Sequence, residues 1–267
     1  MKSMNALTYY GVSAIKLLMN FKPVHRLIRL FLTNDNSMGQ VLRFRRIPLQ
    51  FTVRGAMDVW SLKETFLDAF YTRFGIPVEN GWQVIDIGAG IGDYCIYAAY
   101  NKPNVVVYAF EPFLESYHLL VRNLSLNGIK NVRPFHQAIW SCQDQISLDV
   151  SSGEPLQIAS QTGATTQQND GLQTVQAISL EDVLRKHDLE KVNLMKLDCE
   201  GAEYEILLCA SAAVLQKVER IIMEYHDLDE DRDHQRITAY LQEVGFQVTE
   251  HENIVHDNLG YLYASRV

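Results

Sequence analysis

No apolar run in this chain approaches the roughly 18 residues of a membrane span, so nothing in it reads as a transmembrane helix. Cysteine is sparse, and Cys95, Cys142, Cys199 and Cys209 fall in no Cys-x-x-Cys or Cys/His metal spacing. Their scatter argues against a disulfide framework, and a reducing cytosol is the expected compartment. An apolar stretch follows Lys2, but Lys16 interrupts it and no small-residue cleavage site follows, so no signal peptide is expected. No internal repeat is visible. Acid is scarce in one place: residues 1–56 hold Lys2, Lys16, Lys22, Arg26, Arg29, Arg43, Arg45, Arg46 and Arg54 against the single acid Asp35. That segment therefore carries +8 and leaves −16 for the remainder of a chain whose total is −8. Such asymmetry suits an amino-terminal part that meets something anionic, or one docked on its own acidic domain.

The 267 residues, 47% hydrophobic, suffice for one full α/β domain with an appendage. Leu7, Tyr10, Ala14, Leu17, Leu18 and Phe21 recur at helical spacing, and a second helical run follows Pro23 to Leu32. Residues 1–56 thus read as a basic helical arm, with a loop at Asn34–Gln40 and one or two short strands within Val41–Val53. Ser61-Leu62-Lys63-Glu64 has the form of a capping box and predicts a helix from there to Phe74, ended by Gly75 and Pro77. From Trp82 onward, apolar runs alternate with helical ones: Val84–Ile87, Val105–Phe110, Val132–His136, Leu194–Leu197 and Ile221–Tyr225 predict a parallel sheet covered on both faces. Phe246–Glu250 and Tyr261–Ser265 leave no room for a helix between them and predict an antiparallel pair. The Ser-, Thr- and Gln-rich stretch from Ser151 to Thr174 reads as a loop or lid. Ser179 should cap a helix, and Asn127-Gly128 should end one.

Chemistry concentrates in Trp82–Tyr100, WQVIDIGAGIGDYCIYAAY. Asp86-x-Gly88-x-Gly90-x-Gly92 follows a strand and opens a helix expected to run toward Pro103, where glycines let a ligand lie against bare amides at a helix start. The spacing is neither the dinucleotide Gly-x-Gly-x-x-Gly nor a P-loop ending in Gly-Lys-Ser/Thr. Glu111, at the end of the next strand, stands where a carboxylate accepts both hydroxyls of a ribose. A ribose without pyrophosphate spacing points to S-adenosylmethionine.

Here the chain resembles the class I methyltransferases, and more closely the FkbM family, from roughly Met57 to Val267. The resemblance rests on Val84-Ile85-Asp86-Ile87-Gly88-Ala89-Gly90-Ile91-Gly92-Asp93-Tyr94, Tyr108-Ala109-Phe110-Glu111-Pro112, Asn123-Leu124-Ser125-Leu126-Asn127-Gly128 and Lys196-Leu197-Asp198-Cys199-Glu200-Gly201-Ala202-Glu203. It implies a Rossmann-like fold with a mostly parallel seven-stranded sheet and an antiparallel last strand. It also implies S-adenosylmethionine-dependent O-methylation, often of sugars or other natural-product hydroxyls. Cys199 stands where the family commonly has a hydrophobic residue. Asn123-Leu124-Ser125 is formally a glycosylation acceptor, without meaning in a cytosolic enzyme.

The cofactor-binding candidates are Asp86, Gly88, Ala89, Gly90, Gly92, Glu111, Pro112, Gln137, Ala138 and Asp198, with Gln137 and Ala138 placed where such enzymes contact adenine. Asp198 and Glu200 after the fourth strand, and Glu224 and His226 after the fifth, should face one crevice. Asp198 or His226 is expected to be the base, with Glu200 and Glu224 orienting the acceptor or the base; Glu203 reads as a helix-start residue. A divalent metal held by the same oxygens and imidazole ranks below direct acid–base chemistry. An NAD-dependent oxidoreductase lacks both its pyrophosphate spacing and a Tyr-x-x-x-Lys pair, and a non-catalytic interaction module would not need acids past the fourth strand. The expected partner is a small-molecule or glycan acceptor rather than nucleic acid, and an oligomer is compatible with the sequence. Peripheral membrane contact, or a grip on a lipid-linked acceptor through the arm, stands level with dimerisation or plain docking.

Overall fold

The computed structural model describes residues 6–32, 39–142, 144–149, 158–159, 172–253 and 255–266. The arm forms α1 (Ala6–Asn20) and α2 (Val24–Leu32), joined by β1 (Phe21–Lys22) and followed by β2 (Gln40–Phe44) and β3 (Gln50–Val53). These three strands make a small antiparallel sheet in the order β1-β2-β3. Helix α3 (Ala56–Lys63) passes into a π-helical turn at Glu64–Asp68; Ala69 then adopts a left-handed conformation and α4 (Phe70–Arg73) follows.

The predicted single helix from Ser61 is therefore corrected: it starts at Ala56, and Ser61 lies in its interior. The pair that mimics a capping box is engaged elsewhere, since Glu64 Oε1 accepts from Trp60 Nε1 at 2.9 Å and Ser61 hydrogen-bonds Asp93. Asp58 instead receives the Arg54 amide at 2.6 Å, within the first turn.

The main sheet contains β4 (Gln83–Ile87), β5 (Val106–Phe110), β6 (Val132–Phe135), β11 (Leu194–Leu197), β12 (Arg220–His226), β13 (Gln247–Glu252) and β14 (Leu259–Ser265). Their order is β13-β14-β12-β11-β4-β5-β6, and β14 alone runs against its neighbours. This is the Rossmann-like class I methyltransferase sheet that the resemblance implies. Helices α5 (Asp93–Ala99), α6 (Leu114–Leu126), α7 (Leu180–Lys186), α8 (Glu203–Leu207), α9 (Ala212–Leu215) and α10 (His234–Glu243) connect and cover the strands. Helix α5 stops at Ala99, short of Pro103, because Tyr100 is extended and Asn101 turns left-handed. Ser179 caps α7 by accepting the Asp182 amide, and α6 ends at Asn127 with Gly128 at φ +65°.

One element group was not foreseen. Strands β7 (Ala138–Trp140), β8 (Asp144–Asp149), β9 (Ile158–Ala159) and β10 (Leu172–Ser179) form a second sheet in the order β7-β10-β8-β9. The predicted loop at Ser151–Thr174 lies largely outside the described residues, but its end at Leu172–Thr174 is strand paired with Ser147–Asp149.

Apolar side chains fill both faces of the main sheet. One cluster joins β11 and β12 to α7, α8 and α10. The other packs Leu17, Phe21, Leu42 and Phe51 of the arm into one core with Tyr94, Ile96 and Leu120. Asn123, fully buried on α6, stitches the second face: it accepts from the Thr52 amide at 2.7 Å and donates to the Thr52 and Ile91 carbonyls at 3.1 and 2.9 Å. A buried amide with its partners filled takes no glycan.

Candidate active site

The strand order reverses between β4 and β11, and ligands of open α/β sheets lie outside the carboxyl ends of strands at such a point. A cleft of about 1010 Å³ opens there. Gly88 brings the two strands' ends together: a Cβ on it would lie 1.8 Å from the Asp198 carbonyl oxygen, and its φ of +72° suits glycine alone. The Gly88 and Ala89 amides both donate to the Phe110 carbonyl, at 3.1 and 3.0 Å. Buried Glu111 then takes the Gly90 amide at 2.7 Å and the Phe113 amide at 2.8 Å. Burial pushes the Glu111 carboxyl up to about 7, against those two amides and the charges of Lys196 and Arg54.

Of the expected cofactor residues, Gly88, Gly90, Glu111, Pro112, Ala138 and Asp198 line the cleft, joined by Ile91, Asp93 and Ile139. Asp86, Ala89, Gly92 and Gln137 are not among its lining residues. Asp86 sits wholly buried beneath the loop because the β4–β11 register sets it beside Lys196, whose Nζ is 3.4 Å from its Oδ1. Neither Asp86 oxygen has a hydrogen-bond partner. Its charge favours the protonated form of Lys196.

Lys196 is the residue that sequence reasoning passed over. Its side chain is buried, donates to the Gly88 carbonyl at 2.9 Å and lies 3.6 Å from Asp198 Oδ2. Burial opposes its charge, but Asp86, Asp198 and Asp93 together more than offset that and hold it protonated. The signal was a lysine in the middle of an otherwise apolar strand, Leu194-Met195-Lys196-Leu197, where charge is tolerated only when paired.

All four residues expected for chemistry, Asp198, Glu200, Glu224 and His226, line the same cleft, together with Glu64 and Tyr71 from the amino-terminal helices. A left-handed pair, Glu200 at φ +55° and Gly201 at φ +97°, turns the chain after β11. Asp198 Oδ2 accepts the Tyr71 hydroxyl at 2.8 Å. Burial works against the Asp198 charge, yet Lys196, His226 and Tyr71 hold its pKa below the usual value. His226 Nδ1 is 3.2 Å from Glu203 Oε1, and its Nε2 is 3.4 Å from Glu200 Oε2. Burial disfavours its protonation, but Glu203, Glu200 and Asp198 raise it to about 10. Glu203 does begin α8, and it also fixes His226 and accepts the Cys199 amide at 3.1 Å.

For the base expected at Asp198 or His226, the electrostatics weigh differently on the two: Lys196, His226 and Tyr71 lower the basicity of Asp198, and Glu203, Glu200 and Asp198 favour the protonated form of His226. Burial and Asp198 push Glu64 up to about 8, and burial, Asp198 and Glu64 raise Glu224. Asp198, Glu200 and His226 also offer ligand atoms within 4.8 Å of one another, a set able to hold a divalent cation. The other such group among the described residues, Asp227, Asp233 and His234, is engaged at the start of α10: Asp227 accepts the His234 amide at 2.8 Å and Asp233 caps the helix.

The family model described as Methyltransferase FkbM domain matches residues 86–248. The chain belongs to this methyltransferase family. Hexuronic acid methyltransferase AglP of Haloferax volcanii is similar to it, 29% identical over 66% of this chain and 70% of that protein. The 31-O-demethyl-FK506 methyltransferase FkbM of Streptomyces tacrolimicus is 23% identical over 72% of this chain and 85% of that protein. The crystal structure of methyltransferase FkbM from Methylobacillus flagellatus has a TM-score of 0.49 at 12% identity, covering 77% of this chain and 53% of that one.

Proposed function

We propose that this FkbM-family methyltransferase takes its methyl group from S-adenosylmethionine and places it on a hydroxyl oxygen of a sugar, glycan or natural-product acceptor. The observation that carries the reading is the juxtaposition, in one cleft, of the Gly88–Glu111 wall with the carboxylates and imidazole at the ends of β11 and β12. The residues fit the cofactor: Gly88 leaves no room for a side chain, Gly90 and Ile91 line the cleft, and Glu111 retains acceptor capacity for two hydroxyls after taking two amides. Bound there, the cofactor supplies a methyl group on a positively charged sulfur.

The chain's own residues perform the remaining work. An acceptor hydroxyl loses its proton to a cleft carboxylate as its oxygen gains the methyl group, leaving a methyl ether and S-adenosylhomocysteine. Glu64, which burial and Asp198 push up to about 8, is the group best matched to hold that proton near neutral pH, and burial raises Glu224 in the same cleft. Asp198, anchored by Tyr71 and Lys196, and His226, anchored by Glu203, orient the acceptor, with Glu200 at the open edge. Similarity to a protein named for a hexuronic acid supports the sugar as acceptor class.

The test is incubation with methyl-labelled S-adenosylmethionine and a panel of uronic acid glycosides and polyketide alcohols. Label recovered in an alkali-stable ether is expected. Label released by mild alkali would place the methyl group on a carboxylate and overturn the hydroxyl assignment.

A further inference from the structure

Helix α1 is amphipathic in the reverse of the usual sense. Its inward stripe is Tyr9, Ser13, Lys16, Leu17 and Asn20, tied down by Lys16 Nζ on Asp68 at 2.6 Å and by the Tyr9 hydroxyl, which accepts from Lys63 at 3.0 Å. Its outward residues are Leu7, Tyr10, Val12, Ile15, Leu18 and Met19, with small or uncharged residues between them. Leu7 is 83% exposed, and Ile15 and Met19 are each 59% exposed. A helix facing water carries its charge outward; this one presents no charged side chain on its outer face. Helix α2 also exposes Ile28, Phe31 and Leu32, with Arg26 and Arg29 exposed on the same helix and exposed Lys22 just before it.

We propose that this surface docks the protein on an anionic lipid membrane. Charge complementarity selects the occupant. Exposed apolar side chains of α1 and α2 beside the exposed cations Lys22, Arg26 and Arg29 match the acyl boundary and headgroups of an acidic bilayer, whereas a second copy applied to the same face would bring two sets of cations together. A flat, deformable partner also suits residues spread over two helices better than a pocketed protein surface does. The docking has a consequence for the enzyme: Leu30 and Phe31 of α2 also line the cleft, so the bound orientation sets the cleft mouth at the lipid interface.

The experiment is co-sedimentation of the full chain with phosphatidylcholine vesicles, with and without phosphatidylglycerol, at low and high salt. Pelleting is expected to rise roughly tenfold or more on the anionic vesicles and to fall in high salt. Ile15→Glu/Met19→Glu, which alters only exposed positions, should lose that pelleting while keeping the melting temperature and the affinity for S-adenosylhomocysteine. Lys22→Gln/Arg26→Gln should retain part of it with a shallower salt dependence. Equal pelleting of wild type and the Glu variant, or no preference for anionic vesicles, overturns the proposal. So does light scattering that shows a wild-type dimer which the Glu variant dissociates, without vesicle binding by either; that result assigns the face to a second copy.

Discussion

At the glycine-loop wall of the cleft, Glu111 holds the amides of Gly90 and Phe113 while Phe110 ties the first two amides of the loop. At the wall formed by the ends of β11 and β12, Asp198, Glu200, Glu224 and His226 crowd together with Glu64, held by Lys196 of β11, Tyr71 of α4 and Glu203 of α8. The first wall is backbone set by strand register and glycine conformation, with one side chain, Glu111, holding it, and is therefore insensitive to most other side-chain replacements. The second is a balance of charges, in which removing any member changes the ionisation of the rest. The two walls should consequently fail in different ways: the first in affinity, the second in turnover.

The largest effect that separates them is expected from His226→Ala and Glu224→Gln. Glu224→Gln, which removes a cleft carboxylate, should lower turnover by about 10²- to 10⁴-fold, His226→Ala, which removes an orienting group, should lower it too, and each should change the dissociation constant of S-adenosylhomocysteine by no more than about threefold. Single-turnover rates beside calorimetry make the comparison. A matching loss of cofactor affinity would show that the walls are one unit. Running the same assay with a chelator tests the cation set Asp198, Glu200 and His226: turnover that survives chelation assigns the wall to acid–base chemistry, and turnover lost to chelation and restored by Mg²⁺ assigns it to the cation.

Lys196 joins the walls, since it touches the Gly88 carbonyl on one side and Asp198 on the other. Lys196→Met strands the buried Asp86 and should cost about 3 to 5 kcal/mol of stability in denaturant unfolding. Adding Asp86→Asn should return part of that cost, because the pair is then removed together. If the single and double variants unfold alike, Lys196 is a cation serving the cleft and not a structural link.

The legible parts of this molecule were those written in one local stretch of chain. The seven main strands, the caps at Ser179 and Asn127, and the glycine loop each depend on neighbouring residues, and each was readable to within a residue or two at most ends. Ser61–Glu64 misled because a four-residue pattern says nothing of partners far away; Trp60 and Asp93 had already claimed both side chains. The second sheet escaped because Asp144–Asp149 and Leu172–Ser179 are polar on one face and pair across a long excursion, so composition spoke for a loop. Asp86, expected at the ligand, lies outside the cleft lining beside Lys196, a placement that rests on the cross-strand register between β4 and β11. Asp198 and Glu200 after β11, and Glu224 and His226 at the end of β12, line one cleft, as the strand-end rule expects. Which of them is charged could not be read, because that depends on Tyr71, Glu64 and Glu203 from other elements.

Smaller losses probe the glycine-loop wall itself. Glu111→Ala should weaken S-adenosylhomocysteine by roughly 1.5 to 3 kcal/mol, the worth of hydrogen bonds to a charged acceptor, with turnover at saturating cofactor nearly kept. Calorimetry showing unchanged affinity would remove Glu111 from the ribose contact.

The finest test is the pH dependence of that same carboxyl. An ordinary Glu ionises near 4.5, whereas burial holds Glu111 near 7 in the folded chain. The folded state thus binds the proton more tightly than the unfolded chain, and the stability linked to Glu111 is present below about 4.5 and lost as pH rises through 7. Ligand affinity should run the opposite way, because two ribose hydroxyls are better accepted by a carboxylate than by a carboxyl that must itself donate. Between pH 6 and pH 8 the ionised fraction of a group with a pKa near 7 rises about tenfold, so affinity for S-adenosylhomocysteine should rise by up to that factor while the ligand-free protein becomes less stable. Glu111→Gln should flatten both slopes together. A wild-type affinity that is level across this range, with the stability slope intact, would mean that the buried carboxyl titrates without touching the ligand, and the ribose assignment would pass to another group on the wall.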